Sequence, residues 1–268
     1  MKIPFGSVLL ALCLAACGTP QADALKTPAQ ERLTKAEVLF KERCQTAGEK
    51  IHRTADKVDG ISLMKLRTKE INYGDQYKMD DPYGRDLGGD GYIESFVRGS
   101  FRATHTDIPA NFITRLGYPY VEVLDPQDGK RYRYTGAVRE VTRISSPLIG
   151  GDGKPFKTTA FVLDKTPATG PQPRYGVTYD DISTREDRDY WIAGSSLKVI
   201  DLKTNEVMAE RIGYMMDRGQ GSTAGGRSPW LLAADNACPS FWHTHGAQAQ
   251  PYQTLDFVEK VLKPIQEK

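Results

Sequence analysis

Apolar residues follow a helical spacing near both ends of the chain and alternate with polar residues between them. The spacing predicts an N-terminal helix over Ala29–Thr54 and a C-terminal helix over Thr254–Lys268. Pro28 stands where a helix can begin, and Pro264 should weaken the second helix near its end. The apolar side of the C-terminal helix comprises Leu255, Val258, Leu262 and Ile265.

Between the two helices, the alternation of apolar and polar residues predicts strands that pair as antiparallel hairpins. The clearest hairpin joins Tyr190–Asp201 to Val207–Asp217 through the polar turn Lys203-Thr204-Asn205-Glu206. Further strands are predicted over Tyr118–Leu124, Arg131–Val138, Lys157–Asp164 and Tyr175–Asp180. We therefore expect one α+β domain over 28–268, with an antiparallel β-sheet core, an N-terminal helix and a C-terminal helix.

A short export signal precedes this domain. Met1-Lys2 supplies a positive charge, and the apolar run Val8–Leu14 is too short to span a bilayer. The motif Leu14-Ala15-Ala16-Cys17 then resembles the lipobox of bacterial lipoprotein precursors. The resemblance implies that residues 1–16 are removed, that Cys17 carries acyl chains, and that 17–27 form a lipidated tether. An ordinary signal peptide that happens to contain a cysteine is the alternative.

The same resemblance implies a location in the bacterial cell envelope, with the lipid as the attachment to the membrane. Gly18 follows the cysteine where an Asp would resemble an inner-membrane retention signal, which favours the outer membrane and a position facing the periplasm. The chain has 36 basic and 34 acidic residues, and this balance gives no reason to expect nucleic acid as a partner.

Two cysteines remain after the predicted removal of the signal and lipidation of Cys17, namely Cys44 and Cys238. In an oxidising compartment, two such thiols are most simply read as one disulfide within the domain. Two buried free thiols, or a bridge between two molecules, are the alternatives.

Motifs for nucleophilic catalysis are incomplete. Ser62 with Lys65, and Ser195 with Lys198, match the pattern Ser-x-x-Lys. Acyl-transfer enzymes with this pattern also carry Ser-Asp-Asn and Lys-Thr-Gly, and the chain has neither of these nor a Gly-x-Ser-x-Gly elbow. We therefore predict no catalytic residues.

Candidate metal and phosphate sites are equally weak. His243 and His245 would share one face of a strand, which suits zinc or copper, but a third ligand would have to come from His52, His105, the two late cysteines or a carboxylate. A polar surface loop is the alternative. The aspartates at 80–90 lack the spacing of a calcium-binding loop. Gly150–Lys154 lacks both the hydroxyl residue and the apolar helix that follow a phosphate-binding loop, so we expect a hairpin turn there. The sequence predicts no metal and no cofactor.

Aromatic side chains are the remaining candidates for binding. Tyr and Trp line the predicted sheet, and such rings are favoured at protein interfaces because they bury a large area with little loss of entropy. Trp191, Trp230 and Trp242 are the candidate binding residues. The alternative is that these rings pack in the core.

The hairpin segment Leu197–Arg211 contains the pattern Asp-x-x-Thr-x-Glu, and Gly219-Gln220-Gly221, Trp230 and Cys238 follow it in that order. This arrangement resembles immunity lipoproteins that neutralise lipase effectors delivered by type VI secretion. The resemblance implies a non-enzymatic protein that binds another protein, a toxin effector. The alternative functions are a structural or assembly lipoprotein of the envelope and an envelope hydrolase with an unrecognised site.

Overall fold

The computed structural model describes residues 27–67, 76–77, 80–84, 87–99, 117–241, 250 and 253–265. The predicted signal peptide, Cys17 and the tether up to residue 26 lie outside these residues, as do Trp242, His243 and His245. The described fold begins with a capped helix. The side chain of Thr27 accepts a hydrogen bond from the backbone of Gln30, whose own side chain accepts one from the backbone of Thr27.

Helices and strands alternate irregularly along the described residues. The helices are α1 (Pro28–Cys44), α2 (Asp90–Arg98), α3 (Arg185–Asp189), α4 (Pro229–Ala233) and α5 (Gln253–Val261). The strands are β1 (Gly48–Ile51), β2 (Ala55–Val58), β3 (Gly60–Leu63), β4 (Tyr120–Leu124), β5 (Arg131–Ile144), β6 (Pro155–Pro167), β7 (Tyr175–Asp181), β8 (Ile192–Asp201), β9 (Glu206–Met216), β10 (Ala237–Cys238) and β11 (Leu262–Pro264).

One large sheet organises these elements. Its strands lie in the order β1-β9-β8-β7-β3-β4-β5-β6, and β10 pairs with β9 beside β1. All neighbours are antiparallel except β3, which is parallel to both β4 and β7. A small separate sheet pairs β2 with β11 in parallel. The predicted α+β class with a mainly antiparallel sheet is confirmed.

The strand predictions were most accurate where a polar turn divides two apolar runs. The β8–β9 hairpin and the β4–β5 hairpin are both present. Gly150–Lys154 lies in the turn between β5 and β6, as expected. Both of these strands are longer than predicted, because backbone pairing continues through segments whose side chains lack an apolar alternation.

Both terminal helices are shorter than predicted. The first ends at Cys44 because residues 48–51 pair as β1 with Ala209–Ile212 of β9. The last ends at Val261, after which Leu262–Pro264 form β11. In each case a backbone pairing partner distant in sequence outweighs the local helical spacing.

The main core lies between one face of the sheet and two helices. α2 and α5 supply apolar side chains that meet residues of β3, β4, β7, β8 and β9. α1 packs on the opposite face, where Ala36 contacts a cluster that includes Ile192 and Met216. Neighbouring Ile192 and Ala193 belong to different clusters because alternate residues of a strand point to opposite faces.

Two regions lie at opposite ends of the sheet. We call the end at the paired residues Ile192 and Met216 the upper end, and the end at Asp201 and Glu206 the lower end. β5 pairs with β4 only as far as Tyr134, and residues 135–144 pair with 155–164 of β6 alone. This two-stranded segment, residues 135–164, is the arm. It extends past the lower end by about 30 Å, at about 3.4 Å per residue.

Candidate functional site

Cys44 and Cys238 form the predicted disulfide, with 5.7 Å between their Cα atoms. Cys44 ends α1, and Cys238 lies in β10 opposite Tyr214 of β9. The bond therefore fastens the N-terminal helix to the upper end of the sheet. We call this region the upper corner; it comprises the disulfide, Trp191, Trp230 and residues 217–227.

Two of the three candidate tryptophans meet in the upper corner. The rings of Trp191 and Trp230 have centroids 5.0 Å apart and are tilted by 40°. They are only 6% and 2% exposed, so they pack in the interior and do not themselves form an exposed face. The guanidinium of Arg188 lies 5.2 Å from the centre of the Trp230 ring. Trp242, the third candidate binding residue, lies outside the described part of the chain.

A glycine-rich loop is held directly above this tryptophan pair. The buried carboxylate of Asp217 accepts hydrogen bonds from the backbone N–H of Gly219 at 3.0 Å and of Gly221 at 2.7 Å. Arg227 Nη1 donates to the same carboxylate at 3.1 Å, and Nη2 donates to its other oxygen. This pairing raises the pKa of the Arg227 guanidinium. One carboxylate thus fixes the start and the end of the loop.

The ring of Trp191 supports the middle of the same loop. Gly221 has a φ of +84°, and a Cβ atom placed there would lie 2.3 Å from the Trp191 ring. Gln220 reaches inward, where its Nε2 donates to the carbonyls of Tyr190 at 2.9 Å and Asp217 at 3.0 Å. Residues 222–226 are exposed to solvent. The corner therefore presents an exposed loop in a defined conformation on a buried aromatic support.

Tyr83 extends the aromatic cluster towards Phe241, with ring centroids 5.0 Å apart. Its hydroxyl donates to the carbonyl of Pro239 at 3.3 Å. Burial raises the pKa of the Tyr83 phenol to about 12, so the hydroxyl stays protonated at neutral pH. Tyr83 therefore contributes a buried aromatic ring and one hydrogen-bond donor beside the upper corner.

The two Ser-x-x-Lys matches do not bring their side chains together. Ser195 and Lys198 lie on β8 three residues apart, so they point to opposite faces of the sheet. Lys65 pairs with Asp80, and Ser62 accepts a hydrogen bond from Gln172. Among the described residues, no group of three or more His, Cys, Asp or Glu side chains is arranged to hold a metal ion.

A groove of about 750 Å³ lies between α2, the β4–β5 turn and β6. Ile93 and Leu163 supply apolar walls, while Glu94, Asp125 and Lys165 supply charges. Lys165 is bound to Asp125 at 2.8 Å, and this hydrogen bond raises the pKa of the lysine. The charged side chains that line the groove are paired within the protein, as Lys165 is with Asp125 and Glu94 is with Arg98. The groove therefore does not indicate a class of ligand.

Asp217 and Arg227 are the organising residues that the sequence analysis missed. Asp217 stands at the end of a predicted strand, directly before a glycine-rich segment. An Asp in that position is typical of a turn in which the carboxylate binds backbone N–H groups two residues ahead. The pairing with Arg227 across the loop has no local signal.

Comparison with known protein families, with curated proteins and with solved structures finds no match for this chain. Within the described ranges, every helix is too short or too polar to cross a membrane.

Proposed function

We propose that this chain is a membrane-anchored, non-enzymatic binding lipoprotein, and most specifically an immunity protein that neutralises a type VI secretion lipase effector. One observation carries the binding role: the exposed loop of the upper corner is held rigidly by Asp217, Arg227 and the Trp191 ring. A surface that is already ordered loses less entropy when a partner binds.

The position of the disulfide supports the same proposal. The bond ties α1, which directly follows the predicted lipid tether, to the strands that carry the loop. A protein that must persist outside the cytoplasm benefits from such a cross-link. A lipid at Cys17 would hold the loop at the membrane, where a lipase acts, and so raise its local concentration.

The chain's own glycines provide a matched pair of variants for the test. Gly221→Ala would place a methyl group 2.3 Å from the Trp191 ring, at a φ of +84°. Gly225→Ala also has a positive φ, of +70°, but would meet nothing within 4 Å. Both changes strain the backbone, and only the first displaces the loop from its support.

In the experiment, the lipidated chain is purified in detergent from its own species. The proteins that co-purify with it in stoichiometric amounts are then identified. We expect a lipase whose activity the chain inhibits. We expect Gly221→Ala to weaken the complex about tenfold, equivalent to about 1.4 kcal/mol, and Gly225→Ala to leave it nearly unchanged. Stoichiometric recovery of envelope-assembly proteins instead, or of no protein, would refute the immunity role. Equal binding by both variants would exclude the loop as the contact surface.

A further inference from the structure

The far end of the arm exposes apolar side chains to solvent. Leu148 is 95% exposed, Ile144 is 71% exposed and Phe156 is 47% exposed. They surround the turn that connects β5 to β6, where Gly150 and Gly153 adopt positive φ angles. Among the described residues, the strands of the arm pair only with each other at this point, and no third strand covers them. Exposure of this apolar surface to water is unfavourable in free energy, so transfer of the tip into an apolar environment should be favourable.

The exposed apolar groups point in several directions. Ile144 is paired with Pro155, and Arg143 with Phe156. Ile144 and Phe156 therefore point to opposite faces of the ribbon, because neighbouring residues of a strand alternate between faces. Leu148 projects from the turn itself. A protein partner would cover one side of such a tip, whereas a lipid layer surrounds it on all sides.

The size of the tip also favours lipid over protein. Stable protein interfaces bury about 800 Å² on each partner, from roughly 20 residues or more. The exposed apolar side chains described at this hairpin end, Ile144, Leu148 and Phe156, offer far less than this. Insertion into a bilayer interface requires only that a few apolar groups reach the acyl chains while polar groups stay at the headgroups.

Basic residues lie close to the apolar tip. Arg143 and Lys157 are one residue farther from the turn than Ile144 and Phe156, and Lys154 lies within the turn. The arm, residues 135–164, contains four cations, Arg139, Arg143, Lys154 and Lys157, against three anions, Glu140, Asp152 and Asp164. Three of these cations form ion pairs, Arg139 with Asp164, Lys154 with Asp152 and Lys157 with Glu140. Arg143 has no ion-pair partner in the described structure, so it carries the net charge of the arm. The net positive charge complements anionic phospholipid.

We propose that the tip of the arm is a membrane-binding device, in which Leu148, Ile144 and Phe156 enter the interface of an anionic phospholipid bilayer. Arg143 and Lys157 bind the headgroups. This contact is separate from the acyl anchor at Cys17 and from the loop of the upper corner, and it does not depend on the function proposed above.

The test measures binding of the non-lipidated chain to vesicles. Every contact described above lies within residues 27–265, so a chain that begins at Gly18 keeps them all. Vesicles of phosphatidylcholine with 30% phosphatidylglycerol, about one lipid in three, are compared with pure phosphatidylcholine by co-sedimentation. We expect binding to the anionic vesicles that weakens as salt is added.

A matched pair of leucine variants locates the contact. Leu148→Asp should reduce the partition coefficient between vesicles and water by about tenfold or more, because it replaces a leucine that would be buried in the bilayer with a charged residue. Leu124→Asp is the control, because Leu124 is 59% exposed on the body of the sheet. Both sites are exposed, so both variants should fold, and equal thermal midpoints would verify this. Arg143→Gln should weaken binding to anionic vesicles only.

Two results would overturn the proposal. The first is a chain that fails to bind the anionic vesicles at low salt. The second is an equal loss for Leu148→Asp and Leu124→Asp, which would show non-specific adsorption. If the chain failed to bind vesicles and Leu148→Asp abolished a complex with a soluble protein, the tip would be a protein contact instead.

Discussion

The loop of the upper corner and the tip of the arm are both glycine-containing segments that follow long antiparallel strands, yet they are ordered in different ways. In the upper corner, the buried Asp217 binds two backbone N–H groups and Arg227, above packed tryptophans and beside a disulfide. In the arm, the exposed Asp152 binds the backbone N–H of Lys154 at 3.1 Å, and the strands carry exposed ion pairs. The same turn chemistry, an aspartate that accepts backbone N–H groups, is thus held by buried partners in the upper corner and by exposed partners at the tip of the arm.

The disulfide provides the largest expected effect. Replacing both Cys44 and Cys238 by Ser should lower the free energy of unfolding by about 4–5 kcal/mol, because the bond restricts the unfolded chain across 194 positions of sequence. Urea unfolding of the oxidised protein and the variant measures the difference. Wild-type protein reduced with dithiothreitol is the control and should show the same loss. A loss below about 1 kcal/mol would mean that the unfolded chain is already restricted in other ways.

The two turn aspartates provide the next effect and the most direct test of the comparison. Asp217→Ala should lower the free energy of unfolding by about 2–3 kcal/mol, because Arg227 and two backbone N–H groups lose a buried acceptor. Asp152→Ala should leave that free energy unchanged within error, because its partners remain in water. Hydrogen exchange should increase at residues 219–221 in the first variant. Equal losses in the two variants would remove burial as the cause of the difference.

The smallest effect concerns an ion pair within the arm. The hydrogen bond from Arg139 holds the pKa of the exposed Asp164 carboxyl below its usual value. Arg139→Ala should raise that pKa towards the ordinary value, as measured by carboxyl NMR during a pH titration. Because the folded pKa is depressed, any stability from the pair exists above the ordinary pKa and is lost as pH falls. We expect the urea midpoint at neutral pH to stay unchanged, and a clear decrease would show that the arm depends on this pair.

The hairpins were predictable because their information is local. In β8 and β9, apolar alternation flanks a polar turn, and the carboxylate of Asp201 accepts the backbone N–H of Lys203 at 3.1 Å within that turn. The disulfide was predictable because the expected compartment left few alternatives for two thiols.

Other features depend on contacts between residues far apart in sequence. The parallel central strand β3 is only four residues long, and its neighbours lie over fifty residues away along the chain. The early end of α1 requires β9 as a partner. Trp191 and Trp230 were candidate contacts by residue type, but only the fold shows that they meet beneath the loop. The length of the arm was missed because most side chains of its outer part, residues 138–144 and 155–159, face water and show no apolar alternation.

The bond between Cys44 and Cys238 also has a mechanical consequence. Force that enters through the N-terminus first reaches α1, whose 17 residues could unravel one turn after another. Unravelling would lengthen this segment by about 30 Å, given about 1.5 Å per residue in a helix and about 3.4 Å when extended. It must stop at Cys44, where the cross-link transfers tension to β10 and its partner β9. The helix would then act as an extensible linker with a fixed maximum length. The sheet that carries the loop would stay intact.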